Sequence, residues 1–306
     1  MTTTTALVFP GQGSQRPGML DSVPELESLE RLLDAAEALS GLELRSVATH
    51  GPAAKLADTR IAQPLLYLAD WAWGLTLLES GIEPQAVAGH SLGELAALSV
   101  AGVFSPEAGL ELVVERSKLM AEAAAAHPGS MAAVLGLDSD AISAALSGLE
   151  NVWLANDNAP GQIVLSGSSE SIEQATALLT EAGARRVIPL AVAGAFHSPM
   201  MASAGEAFAD LLVGAEFDDA RIPVYQNTDP TPETHGDAIR TRLIAQITSP
   251  VRWTETMQAL AATGPVMLIE AGPGSVLSGL AKRMDGIAAL SVESTSLESI
   301  VEEVSH

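Results

Sequence analysis

Gln85-Ala86-Val87-Ala88-Gly89-His90-Ser91-Leu92-Gly93-Glu94 sets a serine between two glycines directly after a short apolar run. The apolar run, the glycine-flanked turn and the helical pattern Leu92 to Val100 read together as strand, sharp turn and helix. That is the setting in which the serine of a G-x-S-x-G sequence stands at the apex of the turn as a nucleophile. Residues without a Cβ let the chain turn this sharply and let strand and helix approach closely. The helix beginning beside Ser91 aims its unpaired N–H groups and positive dipole end at the space where an oxyanion would form. Ser91 is therefore the first candidate catalytic residue.

On either side of this unit, short apolar runs alternate with amphipathic helical stretches, which predicts an α/β fold. Ala6 to Phe9 reads as a first strand, ending in the glycine-rich loop Pro10-Gly11-Gln12-Gly13-Ser14-Gln15. Helical patterns follow at Glu25 to Ala38, Gln63 to Ser80 and Pro106 to Ala126. The stretch 129–193 reads as strand (Met131 to Leu135), helix (Asp138 to Leu146), strand (Val152 to Ala155), strand (Gln162 to Gly167), helix (Ser169 to Ala182) and strand (Arg186 to Ala191). This βαββαβ order is the ferredoxin-like signature, so 129–193 is expected to be a small subdomain inserted into a larger domain built from 1–128 and 194–306. The large domain resumes with a helix from Pro199 to Leu212, a strand near Val224 to Asn227, a helix after Asp237 and the strand Val266 to Glu270. After Gly272-Pro273-Gly274 a final helix is expected over Ser275 to Met284.

With 306 residues, 47% of them hydrophobic, the chain can bury a substantial core. It has no cysteine, so disulfides, a thiolate nucleophile and cysteine metal sites are excluded, in keeping with a cytoplasmic location. Met1 and the threonines after it lack a basic region, and Leu65 to Leu78, which carries Asp70, is too short to span a bilayer, so neither export nor membrane anchoring is expected. Lys and Arg number 15 against 38 Asp and Glu; the net charge of −23 repels nucleic acid and anionic membranes. Arg185-Arg186 and Lys282-Arg283 stand out as basic pairs on this background, either solvated surface or a docking patch for an acidic partner.

A serine nucleophile needs a base, and the histidines are His50, His90, His127, His197, His235 and His306. His197, in Gly194-Ala195-Phe196-His197-Ser198-Pro199, lies where the chain leaves the small subdomain for the large one, at the expected cleft. On the helix Pro106 to Ala126, Arg116 and Met120 are four apart and share a face, which can turn the guanidinium into a partly apolar pocket. A helical arginine more commonly pairs with a neighbouring glutamate at the surface.

These residues carry a family resemblance. The chain resembles the malonyl-CoA:acyl carrier protein transacylases of bacterial fatty acid synthesis and the related acyltransferase domains of polyketide synthases. The matching segments are, in order, Gly11-Gln12-Gly13-Ser14-Gln15, Gln63-Pro64, Gly89 to Glu94, Arg116 with Lys118-Leu119-Met120, Asn156 with Pro160-Gly161-Gln162, Phe196-His197-Ser198, Gln226-Asn227, Gln246 with Pro250-Val251-Arg252-Trp253, and Glu270 with Gly272-Pro273-Gly274. Asp157, Asn158 and Ser249 depart from the usual pattern.

The resemblance implies a hydrolase-like α/β domain with an inserted ferredoxin-like subdomain and a ping-pong transfer of malonyl from coenzyme A to the phosphopantetheine thiol of acyl carrier protein. Ser91 would be the nucleophile and His197 the base, a dyad oriented by a main-chain carbonyl near Gln246. The oxyanion would be held by the N–H groups of Gln12 and Leu92, and the malonyl carboxylate by Arg116. Gln63, Met120, Asn156, Phe196 and His90 would line the substrate pocket, with Gln162 beside them. Phe196 and Leu92 resemble malonyl-selecting rather than methylmalonyl-selecting members. Arg185, Arg186, Lys282 and Arg283 would guide the carrier protein. No cofactor or metal is implied, and free-standing members are usually monomers. Three alternatives stay open: an esterase or thioesterase using Asp229 and His235, a polyketide-pathway acyltransferase with methylmalonyl preference, and a carrier-binding module without catalysis.

Overall fold

The computed structural model describes residues 3–304, so Met1 and His306 lie outside the described residues. Among the described residues nine strands form two sheets, a parallel one of five strands and an antiparallel one of four. The strands are β1 (Thr4–Phe9), β2 (Ala86–Gly89), β3 (Ser130–Leu135), β4 (Val152–Ala159), β5 (Gln162–Gly167), β6 (Arg186–Pro189), β7 (Val224–Tyr225), β8 (Val266–Glu270) and β9 (Ile287–Ser291).

In the larger sheet the order is β7-β2-β1-β8-β9 and every pairing is parallel. A parallel sheet is covered on both faces, so its strands read as continuous apolar runs. Period-two alternation still sorts the side chains. Leu7, Phe9 and Val87 join the apolar cluster of the helices Thr59–Glu79, Gly93–Val100 and Pro106–Ala126, whereas Ala6, Val8, Ala86 and Ala88 face Trp253, Met257, Leu277 and Leu280. The chain is thus a mixed α/β protein with helices on both faces of its parallel sheet.

The smaller sheet has the order β4-β5-β3-β6, with antiparallel neighbours throughout. On one face Val134, Ile163 and Leu165 bury Ile142, Ile172 and Leu179 from the helices Ser139–Ala145 and Ser169–Glu181. The other face carries Met131 and Val164 into the core shared with the larger sheet. β4 is bulged at two places, between Leu154 and Asn156 and between Asp157 and Ala159. There it turns from β5 to the larger body: the Asp157 N–H donates to the Val251 carbonyl at 2.9 Å and the Val251 N–H to the Ala155 carbonyl at 2.8 Å.

Several expected elements differ. β4 runs on from Ala155 to Ala159, and β6 ends at Pro189 instead of Ala191. Helix Ser275 to Met284 contracts to Val276–Ala281 and is not the last element, because β9 and the helix Leu297–Val304 follow. The helix Trp253–Ala261 goes unannounced by the sequence. Expected strand Val224 to Asn227 pairs only over Val224–Tyr225. Beyond that point the backbone is taken by other partners: the Asn227 N–H donates to Glu94 Oε2 at 2.8 Å, and the Asn227 carbonyl accepts from the Arg252 N–H at 3.0 Å.

Candidate active site

Ser91 stands just past the C-terminal end of β2, at the crevice end of a parallel sheet where open α/β folds place their ligands. Its φ of 52° is left-handed, an uncommon conformation for a residue with a Cβ. The flanking glycines permit it: a Cβ on Gly89 would collide with the Gly93 carbonyl group, and one on Gly93 with the Phe9 carbonyl oxygen. Leu92 precedes the helix Gly93–Val100, and among the described residues neither its N–H nor that of Gln12 has a protein acceptor.

His197 reaches the same point from the other side of the crevice. Its Nε2 lies 2.7 Å from Ser91 Oγ. Its Nδ1 faces the carbonyls of Gln246 at 3.1 Å and Ser249 at 3.2 Å. Carbonyls only accept, so Nδ1 carries the hydrogen and Nε2 presents its lone pair to the serine hydroxyl. Burial, reinforced by the positive charge of Arg116, pushes the imidazole pKa down to about 3, which keeps it neutral and able to accept a proton at neutral pH. His197 also has a positive φ, 56°.

Arg116 is 0% exposed, and among the described residues no carboxylate is in direct contact with it, the charge of buried Glu94 acting only at a distance; the surface ion pair expected of a helical arginine goes instead to Glu115 and Lys118. Nη1 donates to Gln63 Oε1 at 2.7 Å, Nη2 to Gln246 Oε1 at 2.8 Å and, more loosely, to Ser91 Oγ at 3.3 Å. Burial lowers the guanidinium pKa to about 10, which leaves it cationic at neutral pH. A desolvated fork of this kind, held by neutral amides beside the Ser91 hydroxyl, is a ready receptor for a carboxylate.

A cavity of about 170 Å³ opens over Ser91 and His197, walled by Gln12, Leu92, Met120 and Phe196 from the larger body and by Met131, Asn156, Gln162 and Val164 from the smaller sheet. His90 Nε2 meets Asn158 Oδ1 at 2.8 Å and Asn156 Nδ2 at 3.4 Å, with its ring edge-on to Trp253. A broader groove of about 960 Å³ follows the Glu115, Lys118 and Glu122 side of the helix Pro106–Ala126 and contains neither Ser91 nor His197. The pair Asp229 and His235 does not form: His235 is exposed and faces Asp219, while Asp229 holds Thr231 and Arg242.

Residues 6–295 match the family model for the acyl transferase domain. The chain belongs to the acyl transferase domain family. Two similar relatives carry the name malonyl CoA-acyl carrier protein transacylase. That of Synechocystis sp. is 44% identical over 280 residues, 91% of this chain and 93% of its own. That of Haemophilus influenzae is 42% identical over 97% of this chain and 98% of its own. A similar solved structure holds a type II PKS acyl-carrier protein in complex with its malonyl-transacylase; it superposes with a TM-score of 0.92 at 38% identity, covering 98% of this chain and 100% of that one.

In this acyltransferase the two basic pairs are exposed, and among the described residues neither enters an ion pair. Lys282 and Arg283 continue the helix Val276–Ala281, whose Val276, Leu277 and Leu280 line the cavity. Arg186 pairs with Leu135, which on its other side pairs with Gln162 of the cavity wall. Sequence reasoning missed Asn158, the Ser249 carbonyl and the polar contacts of Glu94 and Asn227. Asn158, Ser249 and Asn227 are remote in sequence from His90, His197 and Ser91, and only the fold brings each to its partner; Glu94 is local to the turn, and the fold adds the Asn227 N–H on its carboxylate.

Proposed function

We propose that this acyltransferase moves a malonyl group from malonyl-CoA to the phosphopantetheine thiol of acyl carrier protein through a seryl acyl-enzyme. One observation carries the proposal: a buried guanidinium without a carboxylate partner lies 3.3 Å from the hydroxyl of a serine that is itself 2.7 Å from a neutral imidazole. The names of the curated relatives support the same substrate and acceptor.

Ser91 Oγ attacks the thioester carbonyl as its proton passes to His197 Nε2, and the N–H groups of Gln12 and Leu92 take up the oxyanion. Collapse breaks the C–S bond, and His197 returns the proton to the departing thiolate. The carrier thiol then attacks the seryl ester, His197 taking and returning a proton in the same way. Arg116 pairs with the free carboxylate throughout, anchored by Gln63 and Gln246. Met120, Phe196, Asn156 and His90 bound the acyl chamber, Phe196 crowding an α-methyl group; a discrimination of about 1–3 kcal/mol against methylmalonyl is expected. Residues 1–128 and 194–306 thus supply the reacting groups, and 129–193 the inserted wall of the cleft. The scheme uses no metal or cofactor, and a cytoplasmic location is part of the same proposal.

Incubation with labelled malonyl-CoA, followed by peptide mapping, is expected to find the label on Ser91, discharged by phosphopantetheinylated carrier protein. Absence of the adduct, or its release to water faster than to the carrier, would favour the esterase reading.

A further inference from the structure

Glu94 and the pair Gln226-Asn227 belong to the motifs of the chain, yet none of them takes part in the proposed chemistry. The geometry points to Asn227, anchored by Glu94, as a positioning residue that holds the nucleophile turn in its strained conformation; this rests on Ser91 being the nucleophile.

Ser91 at φ 52° occupies a left-handed conformation that persists only where the surroundings impose it. Asn227 imposes it from the edge of the sheet. Its Oδ1 accepts the Ser91 N–H at 2.7 Å, and its Nδ2 donates to the Gly89 carbonyl at 2.6 Å. One amide therefore bridges the residue before the turn and the residue at its apex. A neutral side-chain amide offers an acceptor and a donor in one plane, which an ionised carboxylate, an acceptor only, does not. The bridge also occupies the Ser91 N–H, so the Leu92 N–H is the donor left free at the helix start.

Asn227 is in turn fixed by a buried carboxylate. Glu94 is 0% exposed; its Oε2 accepts the Asn227 N–H at 2.8 Å and its Oε1 accepts Gln226 Nε2 at 3.1 Å. The Glu94 N–H itself donates to the Ser91 carbonyl at 3.2 Å, beside Gln246 Nε2 at 2.9 Å. The polar groups on both sides of the Ser91 Cα are thus tied to groups that one carboxylate, on the first turn of the following helix, holds in register. Gln226 shares that carboxylate without touching the Ser91 turn; its second bond goes to the Ile239 carbonyl.

The test compares Asn227→Ala, Asn227→Asp and Gln226→Ala. Ser91 reactivity is read with a fluorophosphonate, in which Oγ displaces fluoride from phosphorus and the proton passes to His197; kcat and KM are read for acylation by malonyl-CoA. A turn displaced by a fraction of an ångström predicts that Asn227→Ala lowers the fluorophosphonate rate and kcat by about 10- to 100-fold per folded molecule, with KM within about three-fold. Asn227→Asp keeps the acceptor and the volume but not the donor to Gly89, and is expected to fall between. It carries the test if the alanine variant does not fold. Gln226→Ala is expected to lower Tm while leaving both rates within about three-fold. Rates unchanged in Asn227→Ala, a loss confined to KM, or an equal loss in Gln226→Ala would each overturn the assignment. A parent enzyme that reacts with the fluorophosphonate but forms no malonyl adduct would overturn the proposed reaction alone.

Discussion

Arg116 combines two properties that a surface arginine never has together: complete burial and neutral partners. Arg116→Ala is expected to lower kcat/KM for malonyl-CoA by about 2–4 kcal/mol, roughly 30- to 1,000-fold, because the substrate carboxylate is left buried and unpaired. Acetyl transfer should persist or rise, and steady-state assays with the two thioesters compare them directly. The same cation acts on His197. With the imidazole pKa pushed to about 3 from 6.5, the acidic limb of kcat/KM should lie well below pH 6.5, since protonation removes the base only at low pH. Replacing Arg116 by Gln removes a positive neighbour, favours the imidazolium and should move the His197 pKa upward; imidazole NMR shifts measure it. At this scale the sequence was legible where local geometry decides, as with the position of Ser91 at the turn after β2. It was mute on Arg116 taken alone, since a helical arginine has an ordinary surface role and burial is a property of the fold.

Elements place these residues by what their ends require. Glu270, at the end of β8, accepts the Leu277 and Ser278 N–H groups at 3.0 and 2.8 Å and so caps the helix Val276–Ala281 that forms one lip of the cavity. Asp70, inside the helix Thr59–Glu79, is its opposite. It is 0% exposed, among the described residues neither carboxyl oxygen has a hydrogen-bond partner, and burial together with the negative Glu270 drives its pKa well above 3.8. A carboxyl raised in the folded state contributes stability at low pH that is lost as pH rises above the unfolded value of 3.8. Asp70→Asn keeps the shape and cannot ionise, so Tm should rise relative to the parent, by more at about pH 8 than at about pH 5. Melting curves across that range check it; a pH-independent difference would place the carboxylate in contact with solvent. The helix Pro106–Ala126 was read with its observed bounds, whereas the expected Glu25 to Ala38 and Gln63 to Ser80 run over Glu27–Ser40 and Thr59–Glu79. The short strand β7 was overextended because pairing stops where Asn227 turns its backbone to Glu94 and Arg252.

Over the whole molecule the formal charge is −23, yet Arg185, Arg186, Lys282 and Arg283 are exposed and outside the ion pairs that occupy Arg45, Arg60, Arg240, Arg242 and Arg252. Cations left free near a cleft on an acidic protein raise the encounter rate with an acidic partner while the remaining surface repels it. Charge reversal at Lys282 and Arg283 should raise the carrier-protein KM by about ten-fold or less and flatten its salt dependence, with acylation by malonyl-CoA unchanged. A salt titration of both half-reactions separates the two, and identical salt slopes in parent and variant would return these residues to plain surface. The chain order of apolar runs and glycines determined the α/β class, the turn at Ser91 and the βαββαβ segment, because hydrogen-bond periodicity and steric limits act between neighbours in sequence. The meeting of Ser91, Arg116, His197, Gln246 and Asn227 was decided only when parallel pairing brought β2, β1 and β7 side by side, since bonds of 2.7 Å across 106 and 136 residues of sequence leave no local trace.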